Sequence, residues 1–242
     1  MGLPELALTA SRRGGEFAEK LGSVCSRSAT LSGEARLAPR PCRCPSTSQS
    51  SRPTSSPWSE TAEDSSFFRT AGLLRIDSIF WDVPIDPTVM RVVEGVLGPD
   101  FLLSTFSSID LKPNGNNIQP LHPDDALIPL ARPHQRPIGC TVMWVVTPFN
   151  EGTGGTRVLP GSHREPLDLL FSQDTERMSQ AIQPDMKPGN VLVFDHALFH
   201  GASDNPSDDW RLGLQVSYHA GWIRPYRRPP RDLPSGTRSS SS

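Results

Sequence analysis

The pattern of hydrophobic and polar positions divides the 242-residue chain into a polar N-terminal part and a longer part with regular apolar spacing. Residues 1–66 are rich in Ser, Arg, Pro, Gly and Thr, a composition that buries too little apolar surface to offset the entropy cost of ordering. The pattern therefore predicts a largely disordered leader over residues 1–66, a folded domain over residues 67–225 and a disordered Arg/Pro/Ser tail over residues 226–242. Within the leader, residues 3–8 and 16–21 are candidates for short helices.

One longer helix is predicted shortly after the folded part begins. Its apolar residues recur at helical spacing, at Val89, Met90, Val92, Val93, Val96 and Leu97. Asp86 has the side chain of a helix N-cap, and Pro87 follows it at the first helical position. Gly98 is a natural end for the helix.

The remaining signal is mostly strand. Five short apolar or alternating runs are separated by Gly, Pro and Asn clusters: Phe101–Leu111, Gly139–Thr147, Thr156–Leu159, Asn190–Phe194 and Leu212–His219. Residues 167–182 form a polar and apolar insertion with room for one or two short helices. Many short strands with turn residues between them are typical of a sandwich or a barrel, so the fold class is predicted to be mainly β.

Composition and charge exclude several classes of protein. A net charge of −2 gives no basic field for nucleic acid or an anionic membrane. No apolar run reaches the roughly 18 residues of a membrane span. The four cysteines are scattered, which does not predict a secreted disulfide framework. We therefore expect a cytoplasmic protein, although the Arg- and Ser-rich N-terminus leaves import into an organelle open. The oligomeric state is not determined by the sequence.

A histidine and an aspartate, two residues apart, form the first candidate metal site. On an extended segment the side chains of His122 and Asp124 point the same way and can bind one ion. Asp125 then faces away. His200 follows the strand-like run 191–194 and supplies a third ligand if the two strands face each other. Two imidazoles and one carboxylate on one face of an octahedron leave three positions open, which suits Fe(II) oxygen chemistry better than tetrahedral zinc.

An arginine stands eleven residues beyond His200, at the start of another predicted strand. The guanidinium of Arg211 is always charged and can bind a carboxylate through two parallel hydrogen bonds. One strand away from the metal, it can fix the far carboxylate of a dicarboxylic acid. His196, four residues before His200, suggests a zinc pair, but on a strand the two side chains point to different places, which favours a structural role.

These segments together resemble one enzyme family. The blocks 119–125, 158–164 and 187–201, followed by Arg211, are similar in order and spacing to the phytanoyl-CoA dioxygenase family. The resemblance extends from about Leu73 to about Trp222. It implies a double-stranded β-helix, which is a jelly roll of two facing antiparallel sheets, with a few flanking helices. It also implies Fe(II), 2-oxoglutarate and O₂ as cofactor and cosubstrates.

The resemblance also implies roles for six residues. The iron ligands of the family correspond to His122, Asp124 and His200. Arg211 corresponds to the residue that salt-bridges the tail of 2-oxoglutarate. Gln119 matches a position that often touches the cosubstrate, and Trp144 matches a tryptophan that lines the same pocket. Ala202 stands where many relatives carry a hydroxyl residue, so one cosubstrate hydrogen bond is expected to be absent or shifted.

The function implied by the resemblance is oxidation, usually hydroxylation, of a small organic or lipid-derived metabolite, with release of succinate and CO₂. Residues 1–66 do not resemble the N-terminal part of the family. The alternative is therefore a truncated or catalytically impaired member that acts as a metal-binding, non-enzymatic protein. A third hypothesis is a jelly-roll metalloenzyme that does not use 2-oxoglutarate, and the position of Arg211 argues against it.

Overall fold

The structure is a computed structural model that describes residues 6–10 (backbone only), 67–115, 118–168 and 175–224. The predicted tail over residues 226–242, most of the predicted leader and the second candidate helix at residues 16–21 lie outside the described residues. In the described part of the chain, no helix combines the length and the apolar character needed to cross a membrane.

The larger layer of the fold is a six-stranded sheet whose neighbouring strands are all antiparallel. Its strand order is β1-β6-β4-β8-β3-β2. The strands have these bounds: β1 Leu6–Ala10, β2 Phe67–Phe68, β3 Phe101–Leu111, β4 Gly139–Val145, β6 Asn190–Asp195 and β8 Arg211–Ala220.

A smaller antiparallel layer contains β5 (Thr156–Val158) and β7 (His200–Ala202). Isolated bridges widen it on both sides, because His122 pairs with His200 and Val158 pairs with Ile182. The predicted fold class is confirmed: the protein is mainly β, with two antiparallel layers of a jelly roll and few helices. The smaller layer brings two of the predicted metal ligands, His122 and His200, into one ladder.

The two faces of the larger sheet have different roles. Side chains alternate along β4, so Val142 and Trp144 lie on the outer face, whereas Thr141, Met143 and Val145 lie on the inner face. The outer residues pack against helix α1 (Pro87–Leu97) in one apolar cluster, whereas Met143 and Val145 belong to a second cluster between the layers. The chemistry of the site is therefore confined to the inner face.

Helix α1 has the predicted bounds. The Asp86 carboxylate accepts hydrogen bonds from Thr88 N (2.9 Å) and Val89 N (3.1 Å), and the helix ends before Gly98, whose φ is +84°. The insertion at 167–182 contains one short helix, α2 (Thr175–Met178), and residues 169–174 lie outside the described residues.

The prediction of a disordered leader is wrong for residues 6–10, and that of a helix over residues 3–8 is wrong for residues 6–8. Leu6 pairs with Phe194 and Ala10 with Asn190, so this segment forms the edge strand β1. The physical reason is non-local: an edge strand presents unpaired N–H and C=O groups, and an alternating peptide segment can satisfy them. The local Leu and Ala preference for helix does not prevail over these bonds.

Candidate active site

His122, Asp124 and His200 converge on one point between the two layers. Pro123 is extended (φ −93°, ψ 146°), so its two neighbours point the same way. The main chains of His122 and His200 exchange two hydrogen bonds, of 2.9 and 3.0 Å. One potential ligand atom from each of the three side chains lies within 4.8 Å of the others, and His200 Nε2 is 3.7 Å from Asp124 Oδ1. The structure therefore brings the three predicted ligands together.

Both imidazoles are oriented by backbone carbonyls. His122 Nδ1 lies 2.9 Å from Pro120 O, and His200 Nδ1 lies 3.0 Å from Leu198 O. A carbonyl oxygen only accepts hydrogen bonds, so Nδ1 carries the proton and Nε2 presents its lone pair. Such a bond at the second ring nitrogen is the usual support of a metal-ligating histidine.

The charge states at the site also suit a cation. Burial favours the protonated form of Asp124. However, the imidazoles of His200, His196 and His122 and the hydroxyl of Thr141 together hold its pKa well below the usual range. Burial lowers the pKa of His200 to about 4, with Asp124 opposing this effect. At neutral pH the Asp124 carboxylate is therefore ionised and the His200 imidazole beside it is neutral.

Two nitrogen donors and one carboxylate oxygen match the ligand set of mononuclear iron(II) oxygenases, with positions left open for other ligands. In the described part of the chain, no other group of three His, Cys, Asp or Glu side chains brings its donor atoms so close together. These residues therefore fit the iron(II) ion that the resemblance implies.

Arg211 begins β8 on the inner face and is 1% exposed. Its Nη1 donates to Ile109 O (3.2 Å), and its guanidinium carbon lies 4.4 Å from the centre of the Phe149 ring. Its Nε has no hydrogen-bond partner, and no carboxylate of the described residues lies within 4.0 Å of the group. Burial lowers its pKa to about 9, opposed by Asp110, so the side chain remains charged at neutral pH.

Polar atoms line the inner face of β8 beyond Arg211. Gln215 Oε1 and the hydroxyl of Ser107, which is opposite Gln215 on β3, are buried without a hydrogen-bond partner. Gly213 stands between Arg211 and Gln215, and a Cβ at this position would come within 2.7 Å of Phe149 Cζ. Buried polar groups are normally satisfied, so the unpartnered Nε of the buried Arg211 cation indicates a place for an anionic ligand on this face.

Gln119 lies beside β7. Its Oε1 accepts from Ala202 N (3.0 Å), and its main-chain N donates to Ala202 O (2.9 Å). The amide oxygen therefore holds the segment before His122 against β7, and Nε2 is the atom left to contact a ligand.

The predicted role of Trp144 is wrong. Trp144 lies on the outer face of β4 with Val142, in the cluster that contains α1, and not on the inner face with Met143 and Val145. The alternation of a strand cannot place neighbouring residues on the same side of the sheet.

Two further residues of the site were not predicted from the sequence. Thr141 Oγ1 donates to Asp124 Oδ2 at 2.5 Å. Arg69 follows Phe67 by two residues, which places it on the side of the sheet where Phe67 contacts the inner cluster. The positive charge of Arg69 makes a small contribution to the lowered pKa of His200, which is mainly due to burial. Neither residue has a spacing signal, because its partner is distant in the sequence.

Comparison with known proteins places these features in a family. The sequence profile of the family "Phytanoyl-CoA dioxygenase (PhyH)" matches residues 49–213 and begins inside the predicted leader. The chain is 32% identical over 126 residues to the dioxygenase cdmA of Talaromyces verruculosus, covering 50% of this chain and 40% of that protein. It is 28% identical over 180 residues to the dioxygenase FUM3 of Gibberella moniliformis, covering 70% of this chain and 58% of that protein. The chain thus spans about half the length of the curated relatives it matches.

Solved structures share the fold. HygX from Streptomyces hygroscopicus, with nickel and 2-oxoglutarate bound, superposes with a TM-score of 0.64 at 13% identity, over 93% of this chain and 86% of HygX. The epimerase SnoN, in complex with Fe³⁺, alpha-ketoglutarate and nogalamycin RO, gives a TM-score of 0.62 at 15% identity, over 90% of this chain and 79% of SnoN. Because the family profile covers more than half of the sequence, the chain belongs to the phytanoyl-CoA dioxygenase family.

Proposed function

We propose that this protein is an Fe(II)- and 2-oxoglutarate-dependent dioxygenase that oxidises a small organic or lipid-derived metabolite. The observation that carries the proposal is the convergence of His122, Asp124 and His200 on the inner face of the jelly roll that also holds the buried charge of Arg211. Family membership and the nickel and 2-oxoglutarate bound to HygX support the same assignment.

His122, Asp124 and His200 would hold the iron. The Nε2 atoms and the ionised carboxylate are the donors, and the carbonyls at Pro120 and Leu198 keep both rings in the required tautomer. When bound, iron(II) supplies the activation of O₂ that is coupled to conversion of 2-oxoglutarate to succinate and CO₂.

Arg211 would bind the distal carboxylate of 2-oxoglutarate. A dicarboxylate would satisfy the unpartnered Nε and would contact the buried cation directly, whereas no carboxylate of the described residues lies within 4.0 Å of it. The Phe149 ring supports the guanidinium plane from one side. Gln119 Nε2 would be a further donor for the same ligand, whereas Trp144 lies on the other face of β4.

The apolar side chains between the layers would exclude water from the reacting groups. Met143, Leu192 and Phe194 belong to the inner cluster, and the Phe194 ring lies 4.4 Å from the His200 ring, centre to centre. A site closed to bulk water strengthens the electrostatic contacts within it and limits side reactions.

The alternative is a metal-binding member without dioxygenase activity. One observation favours it: Ala202 has no hydroxyl to offer the cosubstrate. This alternative predicts that the triad binds metal but that 2-oxoglutarate is not consumed.

The decisive experiment is an anaerobic titration of the purified chain with Fe(II) and then with 2-oxoglutarate, followed by exposure to O₂. We expect a visible absorption band that requires both additions, and succinate after O₂ is admitted. The Asp124→Ala variant is the control and should give neither. A band without succinate in the presence of any substrate tried would favour the non-enzymatic alternative, and no Fe(II) binding by the wild-type chain would refute both assignments.

A further inference from the structure

A buried cluster of ionisable side chains lies next to the candidate metal ligand Asp124 and takes no part in the ligand set. It consists of Asp125, Arg132 and His134, whose side chains are 0%, 4% and 8% exposed. His134 was not predicted to contact Asp125, although Asp125 does face away from the site as predicted. Buried charges are costly, so the Asp125–Arg132 ion pair next to a candidate metal ligand calls for an explanation.

The contacts of the cluster join two separate segments of the chain. Asp125 Oδ2 lies 2.6 Å from His134 Nε2 and 3.4 Å from Arg132 Nε. Arg132 Nη2 also donates to Ala197 O, and the guanidinium carbon lies 5.5 Å from the centre of the Phe199 ring. One guanidinium therefore touches both the segment after Asp124 and the turn that leads into β7.

These two segments carry two of the three candidate ligands. His200 directly follows Phe199, and Asp124 directly precedes Asp125, whose main-chain N donates to His196 O at 3.3 Å. His122 and His200 are already fixed to each other by their main-chain pair. Asp124 and His200 are not paired in this way, and the contacts between their segments include the Asp125 N–His196 O bond and the contacts of Arg132 with Asp125 and Ala197.

The composition of the cluster argues for positioning more than for stability. A buried ion pair gives little net stability compared with apolar residues of the same volume, whereas it fixes the geometry of the groups that it joins. Arg132 Nη1 and Asp125 Oδ1 have no hydrogen-bond partner, so the pair is not optimised for stability either.

We infer that Arg132, anchored on Asp125, is a positioning residue for the metal centre. It holds the carboxylate of Asp124 at the distance from His200 that a single divalent cation requires, and it thereby sets the metal affinity of the triad. This inference rests on the proposed function, because it takes the triad to be a metal site.

The test uses cobalt(II) as a spectroscopic probe and removes both charges together. In the Asp125→Asn/Arg132→Met double variant neither charge is left buried alone. We expect Co(II) to bind roughly 10- to 100-fold more weakly than to the wild-type chain, the usual cost of losing the support of a ligand. At saturating Co(II), the visible spectrum should move towards that of Asp124→Ala. A merely stabilising cluster would leave the spectrum unchanged.

The matched control is Glu165→Gln/Arg177→Met, which removes an ion pair of 2.5 Å that belongs to neither ligand-bearing segment. It should keep the wild-type Co(II) affinity within about twofold. Thermal unfolding in the presence of a chelator shows whether each apoprotein is folded.

The outcomes separate this inference from the proposed function. If the wild-type chain does not bind Co(II), the proposed metal site fails and the inference fails with it. If the wild type binds but a folded double variant binds equally well with the same spectrum, only the inference is refuted. If the double variant does not fold, Arg132→Lys replaces it, because Lys retains the charge but cannot reach both segments. An unchanged affinity in a folded Arg132→Lys chain also refutes the inference.

Discussion

The hydroxyl of Thr141 donates a hydrogen bond to Asp124 Oδ2 over 2.5 Å, which connects the inner face of β4 to a candidate metal ligand. The bond engages one carboxylate oxygen and leaves the other, Oδ1, facing His200 at 3.7 Å.

We predict that Thr141→Val, which keeps the shape of the side chain but removes the donor, weakens Co(II) binding about tenfold, at the lower end of such effects. The measurement is a Co(II) titration of the apoprotein. Thr153→Val is the control, because the Thr153 hydroxyl bonds only within the loop at residues 148–153. Equal losses in both variants would show that the Thr141 bond has no specific effect.

Arg211→Lys should separate cosubstrate binding from metal binding. Lysine keeps the positive charge but loses the planar, two-pronged contact with a carboxylate and the stacking on Phe149. We expect 2-oxoglutarate to bind the Ni(II)-loaded protein about 10- to 100-fold more weakly, which corresponds to a loss of about 1.5–3 kcal/mol. Calorimetric titration measures it, and the Ni(II) affinity serves as the internal control. Wild-type 2-oxoglutarate affinity would remove Arg211 from the proposed pocket.

His196 should make the apoprotein less stable in mild acid. Burial lowers the pKa of His196 from 6.5 to about 4. Asp124 raises this pKa, whereas His219 and His200 lower it further. Between these two pH values the unfolded chain takes up a proton that the folded chain does not. The stabilisation given by a neutral His196 is therefore complete above pH 6.5 and is lost as the pH falls towards 4.

The variant His196→Phe does not titrate, so it should lose less unfolding free energy over this pH range than the wild-type chain. At about 1.4 kcal/mol per pH unit, the difference between the two chains should be up to roughly 3 kcal/mol. Urea unfolding of both apoproteins at pH 6.5 and 4.5 measures the difference. Equal pH slopes for the two chains would contradict the prediction.

Asp86→Ala should destabilise the fold without altering the active site. The carboxylate accepts two hydrogen bonds from the first turn of α1, and loss of such a cap costs about 0.5–2 kcal/mol. Asp82→Ala is the control, since Asp82 makes no side-chain capping bond. Thermal unfolding should show a lower Tm for Asp86→Ala alone, and the Co(II) affinity of both variants should be that of the wild type.

The elements with local signals could be predicted from the sequence. Helix α1 has a cap, a first-turn proline and a terminal glycine, and β3 has a long apolar run, so their bounds agree with the structure. The metal-ligand set could be proposed because the order and spacing of His122, Asp124 and His200 are similar to those of the iron ligands in the family. Strand β7, at residues 200–202, is too short to give any periodic signal.

The features that depend on contacts between residues distant in the sequence could not be predicted from the sequence. All seven residues of β4 are buried, so its sequence does not distinguish the inner face from the outer face. The role of Trp144, taken from the family resemblance, could therefore not be checked against the sequence. The bond from Thr141 to Asp124 and the contact of Arg132 with Ala197 exist only after the two layers have come together. Strand β1 depends on the open edge of β6, which no local pattern reveals.

The alternation along β8 has a consequence for how this chain can change. Leu214 and Val216 point into the apolar cluster under α1, whereas Arg211, Gly213 and Gln215 point towards the candidate active site. Deleting or inserting a single residue within this strand would exchange the two sets. Apolar side chains would then face the candidate active site, and polar and charged side chains would face helix α1. Point substitutions can therefore accumulate on either side independently, but changes of length within β8 should be eliminated by selection.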